Sequence, residues 1–349
     1  ITVRWEVIGG DDYFFEITKK FHNALQGTPV EFRDEMWDHH VAVNTTNASS
    51  LDLQADAVWI HDPQPAPLIA HKQGGIWVWR CHIDASAPQT DVLNHLSTFC
   101  RNYDASIFSV ARYASFPGVP SFVIPPSIDP LSDKNRELSP DEIAATLQEF
   151  NIPPDRPMLL QVSRFDRFKD PLGVIEAYRL VKQYNDCILV LAGSSATDDP
   201  EGEQVLHEVY EYAAGDPDIF ILLLPSGSDL AINALQHAAT VVLQKSIREG
   251  FGLTVSEAMW KGKPVIGGAT GGIPLQIIDG QTGVLVHTIE GAAFRARQLL
   301  NNADMAQRMG NKAREFVRTN FLITRQVRDY LALWAVLTRG NTSPEEFVI

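Results

Sequence analysis

A short segment between two glutamates has the residue types of a phosphate-binding and sugar-binding site. Its members are Glu249, Gly250, Phe251, Gly252, Leu253 and Glu257. Glycines between a strand and a helix let backbone approach a ligand, and the amides at the start of the helix attract phosphate oxygens. Carboxylates accept hydrogen bonds from hydroxyls, so sugar and ribose are natural partners of the glutamates. Either glutamate alone is more often a solvated side chain, but the combination favours a site.

A basic pair, Arg164 and Lys169, follows the apolar run at 158–162. A planar guanidinium and a mobile ammonium suit the two phosphates of a nucleotide sugar, and they would stabilise the charge of a leaving diphosphate. Three acids dilute this positive charge: Asp166, Asp170 and Glu176. A merely solvated loop therefore stays open as an alternative.

Polar side chains also follow two predicted strands in the first half of the chain. His82 could hydrogen-bond a sugar hydroxyl or stabilise charge on a sugar during transfer, with Asp84 on the same face. A purely structural role for His82 is an equal alternative. The further candidates for contacts with a sugar or an acceptor are Asp62, Gln64 and Arg80.

Several other chemistries lack their sequence signals. There is no Asp-x-Asp pair flanked by strands, and His39 and His40 have no partner at ligand spacing, so we predict no metal site and no required cofactor. The absence of GxSxG, Walker and HExxH motifs disfavours a serine hydrolase, an NTPase and a zinc protease. Glycosyl transfer is the reaction class that remains.

Alternating strand and helix patterns must position these residues, and they indicate parallel sheets with crossover helices. In the first half, strands are predicted at 3–8, 57–60, 76–79, 106–110 and 122–124, and helices at 13–25, 67–72 and 92–103. In the second half, strands are predicted at 158–162, 187–192, 219–224, 240–244, 264–266 and 283–286, with closing helices at 292–300, 305–319 and 324–338.

Proline-rich stretches at 125–140 and 151–157 separate the two halves. We therefore expect an α/β protein with two Rossmann-like, doubly wound domains that face a cleft. The first domain is predicted at 1–135 and is joined by the helix at 324–338. The second, at 151–320, is the predicted nucleotide-sugar domain.

The amino-acid composition limits the classes of molecule that the protein is expected to bind. The 349 residues carry 29 Lys and Arg against 43 Asp and Glu, and a net charge of −14 disfavours nucleic acid and anionic membranes. The apolar stretches are too short to span a bilayer. Three cysteines without metal-ligand spacing are typical of a reduced cytoplasmic protein, and we expect small-molecule substrates. The opening twelve residues do not resemble a signal peptide, and we expect the N-terminus of the gene product to be absent.

The chain resembles the retaining glycosyltransferases of family 4, which have the GT-B fold. The residues that carry this resemblance are Arg164, Lys169, Glu249 and Glu257, with GFGL between the two glutamates. Within that family the chain is most similar to the trehalose glycosyltransferring synthases. The segments that carry this resemblance are HDPQP, VWRCHIDAS, PPSIDPLSDKN, VSRFDRFKDPLGVIEAY and QKSIREGFGLTVSEAMWKGKPVIG. They extend from residue 61 to residue 267.

The resemblance implies reversible transfer of glucose from UDP-glucose or ADP-glucose to glucose, giving trehalose with retention. It implies that Arg164 and Lys169 hold the diphosphate, and that Glu249 with the amides of residues 250–253 contacts the donor sugar and its phosphates. Glu257 would bind the ribose, and His82 would lie by the transferred sugar. Retention without an obvious carboxylate nucleophile points to front-face attack.

One departure from the family pattern leaves alternatives open. Family members carry a first strand and a glycine-rich loop ahead of the segment that begins here, and Gly9 and Gly10, followed by Asp11 and Asp12, are not that loop. We therefore expect this chain alone to fold poorly in its first domain or to be inactive. A trehalose phosphorylase and a nucleotide-sugar-binding remnant remain alternatives, and the donor base and a possible homo-oligomer are undetermined.

Overall fold

The computed structural model describes residues 2–193 and 200–339, which include every candidate site residue. The chain divides into two compact units, Ile1–Pro125 with Val327–Ile349 and Pro126–Gln326. Each contains a parallel sheet, which confirms the predicted α/β class. No helix in the described ranges combines the length and the apolar character needed to cross a membrane.

The first unit is built on a parallel sheet whose strands follow chain order, β1-β2-β3-β4. The strands are β1 (Ala57–His61), β2 (Ile76–Cys81), β3 (Ala105–Phe108) and β4 (Ser121–Val123). The helices before and between them are α1 (Asp12–Leu25), α2 (Asp34–Ala48) and α3 (Thr90–Cys100), with 3₁₀ turns at Ala66–His71 and Ala111–Tyr113. His61 and Arg80 are register partners, so the ends of β1 and β2 lie side by side.

Strand β2 packs on both of its faces because alternate side chains point in opposite directions. Trp77, Trp79 and Cys81 lie in a cluster that includes residues of α1, α2 and α3. Val78 lies in a second cluster with Leu333. The polar residues after this strand therefore follow an element that is buried from Trp77 to Cys81.

Two sequence predictions in the first unit need correction. The predicted strand at 3–8 is wrong, since residues 2–11 form no regular element and Val3, Trp5 and Val7 are more than 70% exposed. Alternation alone does not make a strand when no neighbouring strand accepts its hydrogen bonds. The segment predicted as a helix at 67–72 is the 3₁₀ turn Ala66–His71.

The second unit contains a larger parallel sheet with the strand order β10-β9-β8-β5-β6-β7. Its strands are β5 (Met158–Val162), β6 (Ile188–Gly193), β7 (Ile219–Leu223), β8 (Val241–Gln244), β9 (Val265–Gly268) and β10 (Val284–Val286). Its helices are α4 (Pro140–Glu149), α5 (Pro171–Lys182), α6 (Pro200–Ala213), α7 (Asp229–Ala238), α8 (Leu253–Trp260), α9 (Ile273–Gln276), α10 (Ile289–Leu300) and α11 (Ala303–Asn320). The final helix is α12 (Ile323–Thr338), most of which belongs to the first unit. The predicted strands of this half are confirmed to within two residues.

The strand order of this sheet reverses between β5 and β8. The chain runs from β5 outward to β7, and then returns to place β8 on the other side of β5. The loops that leave these two neighbouring strands depart to opposite faces, and ligands of doubly wound sheets bind in the crevice that results. The loop after β5 carries Arg164 and Lys169, and the loop after β8 carries Glu249.

Candidate functional site

The loops after β5 and β8 meet through an ion pair between Lys169 and Glu249. The Lys169 Nζ lies 2.8 Å from both carboxylate oxygens of Glu249. The side chains are 16% and 8% exposed, so the pair is largely shielded from water. The structure thus brings together two predicted site residues that lie on neighbouring loops at the reversal of strand order.

Glu249 is also held by neutral donors from the end of β8 and from its own loop. The Gln244 Nε2 and the Ser246 Oγ donate to its Oε2 at 3.2 and 3.0 Å. These contacts fix the carboxylate, and the carboxylate in turn fixes the ammonium of Lys169. The ammonium of Lys169 is therefore already oriented, which reduces the reorganisation that stabilising a negative charge there would require.

A second ion pair joins the same two loops with the charges exchanged. The ammonium of Lys245, after β8, contacts the carboxylate of Asp170, after β5. Asp170 has a left-handed backbone with φ of 52° and caps α5 by accepting from the Gly173 amide at 3.1 Å. Each loop therefore contributes one cation and one anion to these two ion pairs.

The turn into α8 places backbone near this pair. Gly252 is the residue before the helix and has φ of 83°, a conformation that favours glycine. Phe251 is 6% exposed and its ring centroid lies 5.8 Å from that of Phe321, so its side chain is packed in the protein and does not face a ligand. Leu253 is partly exposed at the first helical position. The start of α8 is thus a short glycine turn leading into a helix whose positive end attracts anions.

Arg164 and Glu257 have charged neighbours other than Lys169 and Glu249. Half of the Arg164 side chain is exposed, and its guanidinium lies 3.5 Å from the carboxylate of Asp166. Glu257 lies inside α8, its side chain is 7% exposed, and the Lys134 ammonium lies 3.7 Å from its Oε1. Arg164 is therefore an accessible cation, whereas Glu257 is a nearly buried anion.

In the first unit, Asp62 links the ends of β1 and β2. Its Oδ1 accepts from the His82 amide at 2.7 Å, and its own amide donates to the Arg80 carbonyl at 2.7 Å. Its backbone is left-handed, with φ of 68°. Burial raises the pKa of Asp62 to about 6, although the His82 amide and the charge of Arg80 oppose the rise.

His82 lies against His61 at the same strand ends. The His61 Nδ1 and the His82 Nε2 share a hydrogen bond of 3.0 Å, and the two rings are within 10° of parallel. Desolvation, the charge of Arg80 and the neighbouring His61 lower the pKa of His82 to about 3, although the residue is exposed to solvent. Burial and the charge of Arg80 also lower the pKa of His61, so both rings are neutral near pH 7 and can donate and accept hydrogen bonds.

The remaining candidates are less accessible than the sequence suggested. Arg80 is fully buried, and Asp84 is 7% exposed with its Oδ1 accepting from the Ser86 amide at 3.0 Å. Gln64 is half-buried, and its carbonyl accepts from the His40 Nε2 at 3.0 Å and the Asn44 Nδ2 at 2.9 Å. Arg80 and Asp84 are thus buried, and neither is open to direct contact with a ligand.

The sequence predictions assigned no site role to several of these partners, which are Gln244, Lys245, Ser246, His61, His40 and Lys134. The residues at 244–246 immediately precede the glycine segment, so their position at the end of a predicted strand was an available signal. Lys134 lies in the segment PPSIDPLSDKN, which carries part of the family resemblance, and His40 was considered only as a possible metal ligand. In the described part of the chain, no group of three or more His, Cys, Asp or Glu residues is arranged to hold a metal ion.

Two family models match the chain. The model described as trehalose synthase, N-terminal domain, matches residues 1–115, and the model of glycosyl transferases group 1 matches residues 142–316. The trehalose synthase of Rubrobacter xylanophilus is 46% identical over 350 residues, covering 97% of this chain and 83% of the relative. A trehalose phosphorylase of Pleurotus pulmonarius is 27% identical over 397 residues, covering 98% of this chain and 54% of that protein.

A solved structure supports the fold. The α,α-trehalose-phosphate synthase (UDP-forming) from Burkholderia xenovorans, in complex with glucose-6-phosphate, matches with a TM-score of 0.73 and 14% identity. The match covers 92% of this chain and 84% of that one. At this identity the likeness concerns the architecture, which is the GT-B fold expected from the sequence.

Proposed function

Because this chain belongs to the trehalose synthase family of glycosyltransferases, we propose that it forms trehalose by transferring glucose from a nucleoside-diphosphate glucose to glucose. The donor is UDP-glucose or ADP-glucose, the reaction is reversible, and the donor configuration is retained. The observation that carries the proposal is the contact between Lys169 and Glu249 at the reversal of strand order in the second unit.

The donor diphosphate lies at this contact in our proposal. Lys169, already oriented by Glu249, faces the phosphates, and Arg164 supplies a second, accessible cation. The amides of residues 250–253 add donors at the positive end of α8. As the bond between the anomeric carbon and the diphosphate breaks, these groups stabilise the negative charge that develops on the leaving oxygen.

The transferred sugar is bound by carboxylate and imidazole groups. Glu249 accepts hydrogen bonds from donor-sugar hydroxyls, and Glu257 accepts from the ribose. His82, held by the side chains of Asp62 and His61, contacts the sugar as a neutral imidazole. Its neutral state suits a hydroxyl partner better than a phosphate.

The configuration of the donor carbon is retained because the acceptor attacks the same face from which the leaving group departs. The anomeric hydroxyl of the acceptor glucose forms the new bond to the donor carbon while the old carbon–oxygen bond breaks. Its proton passes to an oxygen of the departing diphosphate, so no protein nucleophile is required. The protein's contribution is to position both sugars and to stabilise charge, which are large terms in enzymatic catalysis.

A product assay tests the proposal directly. The full-length protein is incubated with glucose and either UDP-glucose or ADP-glucose, and the disaccharide and its linkage are identified by NMR, with and without EDTA. We expect α,α-trehalose and free nucleoside diphosphate both with and without EDTA. In the reverse direction, we expect nucleotide sugar from trehalose and nucleoside diphosphate. Glucose 1-phosphate formed from trehalose and inorganic phosphate would instead identify a phosphorylase. Nucleotide binding by calorimetry without any sugar product would identify a binding protein.

A further inference from the structure

The carboxylate of Glu257 has a cationic neighbour from a distant part of the chain. The Lys134 Nζ lies 3.7 Å from the Glu257 Oε1 and 3.9 Å from the Oδ1 of Asp229. These separations allow charge attraction but exceed the length of a direct hydrogen bond. The Lys134 side chain is 34% exposed and the Glu257 side chain 7% exposed, so the ammonium lies at the open side of a nearly buried anion.

The backbone around Lys134 is held in place from two helices. On the α8 side, the Lys261 Nζ donates to the Lys134 carbonyl at 2.9 Å and the Trp260 Nε1 donates to the Asn135 carbonyl at 3.1 Å. On the α7 side, the Asn233 Nδ2 donates to the carbonyls of Asp133 and Arg136 at 2.8 and 2.9 Å. Carbonyls before, at and after residue 134 are therefore fixed, while its side chain stays partly open to solvent.

Lys261 shows that this placement is specified by the fold. It is 8% exposed, and its ammonium also donates to the Asn135 Oδ1 at 3.2 Å and to the Glu257 carbonyl at 3.3 Å. Burial lowers its pKa to about 8. Desolvating an ammonium is unfavourable unless good acceptors surround it, and here those acceptors tie the segment of Lys134 to the helix of Glu257.

The chemistry of the pair fits a ribose diol. A hydroxyl both donates and accepts hydrogen bonds, and a carboxylate satisfies only its proton. An ammonium within 4 Å of that carboxylate can donate to the lone pairs of the same hydroxyls. We propose that Lys134 is a second ribose-binding residue of the nucleotide site, which donates to hydroxyl oxygens whose protons are accepted by Glu257. This inference rests on the proposed nucleotide-sugar function.

Calorimetry with modified nucleotides tests the assignment. UDP and ADP are each compared with their 2′-deoxy and 3′-deoxy counterparts, in the wild type and in Lys134→Met and Lys134→Arg. For Lys134→Met we expect about tenfold weaker binding of the ribonucleotide, as for a lost hydrogen bond from a charged donor. The loss is smaller for at least one deoxy nucleotide, because the hydroxyl that Lys134 contacts is already missing. Lys134→Arg keeps a donor and retains most of the affinity.

A matched lysine separates this role from general charge. Lys182 is 30% exposed and pairs with Asp218, which directly precedes β7 and so lies at the amino-terminal edge of the sheet. Lys182→Met removes the same charge far from the strand ends that carry the site, and we expect unchanged nucleotide affinity. Equal losses for all three nucleotides in Lys134→Met, or no loss, would overturn the inference. A wild-type protein that binds neither UDP nor ADP would instead refute the proposed function.

Discussion

Asp170 contacts the ammonium of Lys245, so the residue next to Lys169 is anchored to the loop that carries Glu249. The contact and the Lys169–Glu249 pair have opposite polarity, and together they join the ends of β5 and β8. Because the two loops carry the residues proposed to hold the diphosphate, the pairs fix the geometry of the site before any ligand binds.

Removing Lys169 should lower both stability and transfer. Lys169→Met leaves the Glu249 carboxylate, 8% exposed, without its cation. Breaking a buried pair in this way costs about 3 kcal/mol of unfolding free energy. Loss of an oriented group that stabilises the leaving charge should lower kcat/KM roughly 10²-fold or more. Urea denaturation and initial rates of trehalose formation measure the two effects.

The double variant Lys169→Met, Glu249→Gln separates these effects. Glutamine keeps the shape of the side chain and no longer needs a cation, so part of the lost stability should return. Transfer should stay low because the diphosphate still lacks Lys169. If activity recovers together with stability, Lys169 acts only through folding and our assignment of its role is incorrect.

The Lys245–Asp170 pair should be energetically coupled. In a double-mutant cycle with Lys245→Met and Asp170→Asn, asparagine still accepts from the Gly173 amide and tolerates the left-handed backbone. The side chains are 9% and 23% exposed, and we expect a coupling of about 1–3 kcal/mol. The reference cycle uses Lys182→Met and Asp186→Asn, where Asp186 is 76% exposed, and should give about 0.5 kcal/mol or less. Equal couplings in the two cycles would contradict a special role for the pair.

The sequence predicted the second sheet well because its strands are continuous apolar runs. Residues 158–162 are buried at every position, and the predicted bounds of that strand are the observed ones. The segment at 3–8 has a similar apolar content, but nothing in a local pattern tells whether a neighbouring strand exists. Its exposed Val3, Trp5 and Val7 show how far such a prediction can fail.

The acids near Lys169 show why side-chain partners were harder to predict. From the sequence, these acids were interpreted only as reducing the net positive charge of the loop. In the structure each has a local role: Asp166 accepts from the Phe168 amide, Asp170 contacts Lys245, and Glu176 accepts from the Tyr212 hydroxyl. These partners lie from two to 75 residues away along the chain, and only the fold brings the distant ones together.

Acid should destabilise the first unit through His40. This ring is fully buried, its Nε2 donates to the carbonyls of Pro63 and Gln64, and its Nδ1 therefore accepts from the His95 Nε2 at 3.0 Å. Burial lowers the pKa of His40 to about 3. Between pH 3 and the ordinary value of about 6.5, the unfolded chain binds a proton that the folded chain does not, so stability falls as the pH falls.

His40→Gln should therefore flatten the pH dependence of unfolding. Between pH 4 and 6 we expect the slope to decrease by up to about 1.4 kcal/mol per pH unit, the value for one proton. Tryptophan fluorescence is a suitable signal, since of the seven tryptophans only Trp260 belongs to the second unit. His207→Gln is the control because that side chain is 74% exposed. Unchanged slopes in both variants would show that His40 does not govern acid unfolding.

Gly271→Ala should disrupt the loop that carries Glu249. A Cβ at residue 271 would lie 1.7 Å from the Glu249 carbonyl oxygen, and φ is +59°. Gly280 has φ of +73°, and a Cβ added at residue 280 would have no atom within 4 Å. Gly280→Ala therefore measures only the free-energy cost of a left-handed backbone at alanine, about 1–2 kcal/mol. Gly271→Ala adds a backbone clash that the 249–252 segment can relieve only by moving, and we expect a larger loss of stability, about 3 kcal/mol or more.

Because that movement displaces Glu249 from Lys169, UDP and ADP binding should also weaken in Gly271→Ala and stay unchanged in Gly280→Ala. Equal nucleotide affinity in the two variants would mean that the position of the Glu249 backbone does not control the diphosphate site.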